Sequence, residues 1–254
     1  MDFGPVPVAK AEGGILAHSL HLNGTRLRKG ITLSAHHVTL LVQEGIATVT
    51  IARLGTADVH ENTAAERLAQ AIVDETSGLR IAAAATGRVN IYATTPGLAH
   101  IDVAKVHALN AVNPLITVAT VPEWQRMAAG GMVATVKIIS YAVPDGDLAR
   151  VCALGAGALG FRTPIFEKVQ FIQTTLTRDD KTGHSATEGR LTALGVKMDP
   201  PQRVPHDTEA LSKALLQSAA PLICVLTASA TSDLRDVAPA AVVAAGGLIH
   251  VFGM

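Results

Sequence analysis

Apolar residues at helical spacing alternate with short β-branched runs along the whole chain, the pattern of interleaved helices and strands. Gly13-Gly14-Ile15-Leu16-Ala17-His18-Ser19-Leu20 leads to Asn23-Gly24, whose tolerance of positive φ suits a tight turn. Ser34 is a natural N-cap for a helix carrying Val38, Leu41 and Val42, and Gly45 sits where an αL residue would end it. Ala47 to Ile51 is a β-branched strand, and Ala64, Leu68, Ala71 and Ile72 mark one helical face between Thr63 and Val73. Arg88 to Ala93 alternates with period two, Val103 to Val112 is helical, and Ile116 to Thr120 and Met132 to Ala142 are strands. Pro144 with Asp145-Gly146-Asp147 predicts a turn, Leu148 to Leu159 a small-residue helix, and Gly160 to Pro164 a linker. The predicted division is therefore 1–163, a mixed α+β region with subdivisions 1–54 and 55–163, and 164–254.

Beyond the linker the pattern sharpens. Val169 to Thr175 is a short apolar strand ending in hydroxyls, Thr187 to Leu194 a helix stopped by Gly195, and Val196 to Met198 a short strand. Asp207 can cap a helix from Glu209 to Ser218, because its carboxylate accepts first-turn amides. Leu222 to Leu226 is continuously apolar, as expected of a parallel strand covered on both faces. This order predicts an α/β domain with a parallel sheet, in which ligands bind beyond the carboxyl ends of the strands. Two such ends carry hydroxyls and small residues: Thr174-Thr175 and Thr227-Ala228-Ser229-Ala230.

Composition narrows the ligand. Lys plus Arg and Asp plus Glu are 21 each, so the formal charge is zero and duplex nucleic acid is not an expected partner. Aromatics are 3% against 48% hydrophobic residues, so aliphatic side chains must fill the core. Cys152 and Cys224 lack metal-ligand spacing and read as small apolar residues. With neither a signal segment nor a membrane-length apolar run, a cytoplasmic protein is expected.

The chemistry concentrates where Ser229-Ala230-Thr231-Ser232 runs into Asp233-Leu234-Arg235-Asp236 and then a helix with Pro239 in its first turn. Unpaired amides and the helix dipole make such a junction an anion site. Arg235 could fork onto a phosphate, and Asp233 or Asp236 could hold a divalent cation. Equally, Asp236 could simply cap the helix and Arg235 be a solvated charge. His184, in the expected loop after the first strand with Lys181, could meet a phosphate or be an exposed loop residue. His36-His37 cannot easily share an ion, since neighbours on a helix point about 100° apart. Asp58, Glu61 and Glu66 read as a solvated face, and Lys137 either reaches the surface or lines a cleft between the two domains.

The run Arg235-Asp236-Val237-Ala238-Pro239 resembles the helix start of the molybdopterin-binding fold of molybdenum cofactor biosynthesis, differing from an Arg-Asp-Val-Thr-Pro pattern at one position. Val169 to Thr175 falls at that family's first strand, and Val204-Pro205-His206-Asp207 at its Val-Pro-Asp-Asp-like turn. Asp2-Phe3-Gly4-Pro5-Val6-Pro7, Gly87-Arg88-Val89-Asn90 and Gly131 to Ile139 extend the resemblance to a bacterial subgroup often fused to a molybdenum cofactor cytidylyltransferase-like domain. The resemblance implies a three-layer, Rossmann-like C-terminal domain that binds molybdopterin or a related pterin phosphate. It implies ligand contacts from Thr174, Thr175, Ser229, Arg235 and Lys181, with Asp236 and Asp233 as catalytic groups and Asp236 as the Mg²⁺ ligand. The implied activity is molybdenum insertion or pterin adenylylation. The alternative is a carrier that delivers the pterin to a nucleotidyltransferase domain, and a homo-oligomer is expected. Two features depart from the family: Thr227-Ala228 stands where relatives have Gly-Gly or Gly-Ala, and Arg178-Asp179-Asp180-Lys181 matches its loop only loosely. The chain stops at Val251-Phe252-Gly253-Met254, on an expected strand, where the family continues into segments that complete the pocket.

Overall fold

The computed structural model describes residues 1–74, 78–177 and 183–253. The fold is mixed α/β and divides into two compact units, Met1–Arg162 and Thr163–Met254.

The first unit opens with β1 (Asp2–Pro7), β2 (Ile15–Leu16), the hairpin of β3 (Leu20–Leu22) and β4 (Thr25–Leu27), α1 (Ala35–Gln43) and β5 (Thr48–Arg53). These make an antiparallel sheet in the order β1-β5-β2 over a core of Leu16, Leu33, Leu41, Val49 and Ile51. Gly24 closes the hairpin at φ +78° and Gly45 ends the α1 segment at φ +70°, the positive values that their sequence contexts require. Ser34 and His37 form a reciprocal capping box: the Ser34 hydroxyl accepts from the His37 amide, and His37 Nδ1 accepts from the Ser34 amide at 3.1 Å. β1 had no strand signal because Pro5 and Pro7 interrupt it. It is tolerated because β1 is an edge strand and Val8, two positions beyond Val6, donates its amide to Ala47, so the odd-numbered prolines face away from β5.

The unit continues through β6 (Asp58–His60), α2 (Glu61–Ile72), β7 (Leu79–Ile81), β8 (Arg88–Ala93), β9 (Gly97–Ile101), α3 (Val103–Asn110), β10 (Ile116–Thr120), β11 (Arg126–Met127), β12 (Met132–Ile138), β13 (Ala142–Pro144), α4 (Asp145–Gly155) and β14 (Leu159–Arg162). The antiparallel sheet β10-β12-β8-β7 carries α2, whose Ala64, Ala65, Leu68, Ala69 and Ile72 are wholly buried with Val89, Ile91 and Val136. Burial of each such Leu or Ile stabilises the unit by about 1.5–3 kcal/mol.

The first unit departs from its sequence pattern at several points. The run Met132 to Ala142 is broken at 139–141, where Tyr141 turns away to donate its hydroxyl to the carbonyl of Ala17 at 2.8 Å. Asp145-Gly146-Asp147 is the first turn of α4 rather than a loop, as suits carboxylates at the positive end of a helix dipole. Gly160 and Phe161 are not linker: they lie in β14, paired with β9, where Leu159 and Phe161 are buried. Of Asp58, Glu61 and Glu66, expected as a solvated face, only Glu66 is exposed. Asp58 bonds the N-terminal ammonium and the Gly55 amide, Glu61 is half-buried, and Glu66 accepts from the Ala84 amide.

The second unit contains β15 (Lys168–Thr175), α5 (His184–Thr192), β16 (Lys197–Met198), β17 (Gln202–Pro205), α6 (Thr208–Gln217), β18 (Ile223–Leu226) and α7 (Val237–Ala244). All its strand pairs are parallel: β15 meets β16 and then β17 as partners of its two halves, and also pairs with β18. The Asp207 carboxylate caps α6 by accepting from the Ala210 amide at 3.0 Å. Ile172 packs with Leu211 and Ala214 of α6 and Ala241 of α7, while its neighbour Phe171, directed oppositely by the strand period, meets the His184 ring edge-on. His184 is therefore half-buried at the start of α5, not an exposed loop residue. β18 is less covered than its apolar run predicts: Ile223, Cys224 and Val225 are half-buried and Leu226 is exposed, because β15 is its one sheet partner among the described residues. The strand expected at Val251 is not formed; Leu248 and Val251 are exposed outside any ladder among the described residues. No helix among the described residues is long and apolar enough to cross a membrane.

Candidate functional site

In the second unit β15 comes first in the chain and lies centrally, with β16 and β17 on one side and β18 on the other. Successive connections thus leave β15 toward opposite edges, and the junction of β15 with β18 is a topological switch point. A crevice is expected at the carboxyl ends of those two strands. A cleft of ≈ 330 Å³ lies there, lined by Gln173 and Thr174 from the end of β15 and by Leu226, Thr227 and Ala228 at the end of β18.

Thr174 organises this corner. It is buried, and its Oγ1 accepts from the Ala228 amide at 2.9 Å and lies 2.9 Å from His206 Nδ1. The other face of that imidazole, Nε2, is 2.9 Å from Ser229 Oγ. In either neutral tautomer one ring nitrogen donates and the other accepts, so one hydroxyl gives a proton to the ring and the other receives one. The half-buried His206 therefore ties the end of β15 to the loop after β18. Thr175, also half-buried, donates from Oγ1 to the Val204 carbonyl at 3.4 Å.

The loop is fixed a second time by its own carboxylates. Asp236 occupies the N-cap position of α7, but its side chain makes no cap bond to the helix. Instead Oδ2 accepts from the Ser232 and Asp233 amides at 2.7 and 2.8 Å. The amides of Asp233 and Ser232 hold the Asp236 carboxyl below the usual carboxylate range. Asp233 in turn accepts from the Arg235 amide at 2.7 Å and from Arg235 Nε at 3.3 Å. Arg235 is otherwise solvated, its side chain 93% exposed.

Of the residues singled out in the sequence, Thr174 lines the cleft, Ser229 is linked to it through His206, and Thr175 adjoins Thr174 on the strand. Asp233, Arg235 and Asp236 shape the loop leading into α7. Lys181 lies outside the described residues. In the sequence His206 stands out only as part of the Val204-Pro205-His206-Asp207 turn. The signal that could have found it is its place directly after a strand and before a helix cap, at the same sheet end as Thr174. Among the described residues no group of three or more His, Cys, Asp or Glu side chains is placed to hold a metal ion. Asp233 and Asp236 each accept loop hydrogen bonds, and two carboxylates supply only part of the octahedral oxygen shell of Mg²⁺, whose other oxygens would come from water or a ligand.

The family described as "Domain of unknown function (DUF8806)" matches residues 5–53. No curated protein matches the chain. Solved structures that match include one described as molybdopterin biosynthesis moea protein from Pyrococcus horikosii, 11% identical, with 94% of this chain and 61% of that chain covered. The chain thus spans less than two thirds of that protein's length. Its TM-score of 0.23 makes this a weak likeness.

Proposed function

We propose that the unit Thr163–Met254 is a three-layer, Rossmann-like domain that binds molybdopterin or a related pterin phosphate in the cleft at the ends of β15 and β18. The observation that carries this reading is the bridge from Thr174 through His206 to Ser229, which holds a small-residue loop at a switch-point cleft before any ligand arrives. The resemblance of Arg235-Asp236-Val237-Ala238-Pro239 to the molybdopterin-binding helix start supplies the ligand class. In this reading Thr174 and Ser229 set the loop, and Arg235, exposed beside it, exchanges its Asp233 contact for a ligand phosphate. Asp236 acts as the clasp of the loop.

Binding without turnover is the form of the proposal favoured by Asp236 and Asp233, whose carboxylates are already engaged in loop hydrogen bonds. Anaerobic calorimetric titration with molybdopterin, comparing the wild type with Asp236→Ala, tests it. Saturable binding by the wild type, weakened at least about tenfold in the variant, is expected from loss of charge-assisted bonds. Absent binding in the wild type, or equal affinity in both, refutes the assignment. Molybdate- or ATP-dependent conversion of the bound pterin would replace the carrier reading by a transferase one.

A further inference from the structure

The first unit holds a second cleft, of ≈ 270 Å³, beside the start of α2, and its walls include Lys29, Arg88 and Lys137. Arg88 on β8 and Lys137 on β12 are direct cross-strand partners, an arrangement of like charges that destabilises a sheet unless something lies between or over them. Lys29 arrives from the segment after β4. No salt bridge or side-chain hydrogen bond engages any of these three cationic groups among the described residues. The one carboxylate in the cleft is Glu61, which is half-buried and not within ion-pair distance of the three. Burial raises the Glu61 carboxyl above its ordinary value and outweighs the lowering by the nearby charges of His60 and Lys29, so no firm ion pair holds it.

The rim is also strained. Ala85-Thr86-Gly87-Arg88 is a two-residue hairpin closed by reciprocal Ala85 and Arg88 backbone bonds, and it requires positive φ at both central positions. Thr86 adopts φ +51°, a conformation that a β-branched residue rarely takes, and Thr86 lines the cleft next to Arg88. Gly87 fits because a Cβ there would stand 2.7 Å from the Ile138 carbonyl, and its amide donates to Asn62 Oδ1 at 2.8 Å. The tip is thereby pinned against α2 and β12, which fixes the base of Arg88.

Three cations against one carboxylate leave two net positive charges, matching a phosphate monoester, which carries about −1.5 to −2 near neutral pH. We propose that Lys29, Arg88 and Lys137 form a binding site for the phosphate group of a small phosphate ester. Arg88 supplies the fork for two phosphate oxygens, the lysines act as point charges, and the Thr86 hydroxyl lies at the rim.

The test uses the whole chain at constant ionic strength, titrated with inorganic phosphate, glycerol 3-phosphate and glycerol and followed by ³¹P NMR and calorimetry. Saturable binding of glycerol 3-phosphate but not glycerol is expected. It should weaken at least about tenfold in Arg88→Gln and in Lys137→Gln, and tighten in Glu61→Gln, which removes the opposing charge. Tighter binding of the ester than of inorganic phosphate identifies an ester site, whereas equal affinity identifies a site for free phosphate and overturns the ester claim. Absence of binding, or binding that persists in Arg88→Gln and Lys137→Gln but is lost in Asp236→Ala of the second unit, overturns the site. Far-UV circular dichroism of each variant separates lost binding from lost fold, and the gain expected in Glu61→Gln cannot arise from misfolding.

Discussion

At the ends of β15 and β18 the polar groups are short and already mutually engaged, whereas beside α2 three long cationic side chains converge on a single carboxylate, Glu61, with no ion pair among the described residues. The first cleft is organised in advance: a ligand finds the loop set by Thr174, His206 and Asp236 and needs little further ordering. In the second cleft the charge is ready and the side chains are not, so a ligand must immobilise them and gains mainly from electrostatics. The two clefts should therefore fail in different ways. Shape-preserving loss of a hydroxyl should damage the first, and salt or charge removal the second.

The largest expected effect comes from the buried strand beneath the first cleft. Phe171→Ala should destabilise the second unit by about 3–5 kcal/mol, because Phe171 is 1% exposed and its removal leaves a cavity. Chemical denaturation with residue-resolved hydrogen exchange checks this; a loss confined to Met1–Arg162 would contradict it. Next, Thr174→Val keeps the volume but leaves the Ala228 amide and His206 Nδ1 without their partner, a loss of about 1–3 kcal/mol measurable by urea unfolding. Wild-type stability in that variant would mean that the bridge does not hold the loop.

The strands and helices of both units were largely legible because period and capping are local. Ser34, Gly45 and Asp207 act where their residue types predict, and Ile116–Thr120 and Arg88–Ala93 are strands as their patterns require. What was not legible depended on partners distant in sequence. β14 is a strand because β9 is beside it, and β1 tolerates two prolines because one of its edges has no partner among the described residues. The same limit governs the candidate site. Thr174 and Ser229 could be picked out as hydroxyls at strand ends, but His206, 32 residues from Thr174, joins them only through the parallel pairing of β15 with β17. The Arg88–Lys137 juxtaposition likewise exists only in the cross-strand register.

Smaller effects sharpen the contrast. Thr86→Asn should stabilise the first unit by about 0.5–1 kcal/mol in thermal unfolding, since Asn accepts positive φ more readily in this turn. Destabilisation would mean that the Thr86 side chain makes a compensating contact. The smallest effect is acid sensitivity of the loop. The folded Asp236 carboxyl lies below its unfolded value, so its contribution is complete above the unfolded pKa of about 3.9 and is lost as pH falls through the depressed folded value. The amide signals of Ser232 and Asp233 should accordingly titrate by NMR with a midpoint below about 3.9. A midpoint at or above it would show that those amides do not hold the carboxylate.

The central claim, that the pterin site is the pre-set cleft of the second unit, is tested most directly by anaerobic molybdopterin titration of the wild type, Thr174→Val and Lys137→Gln in parallel. The predicted result is saturable binding by the wild type and by Lys137→Gln, with affinity lowered at least about tenfold in Thr174→Val. Unchanged affinity in Thr174→Val, loss of binding in Lys137→Gln, or no binding by the wild type would contradict it.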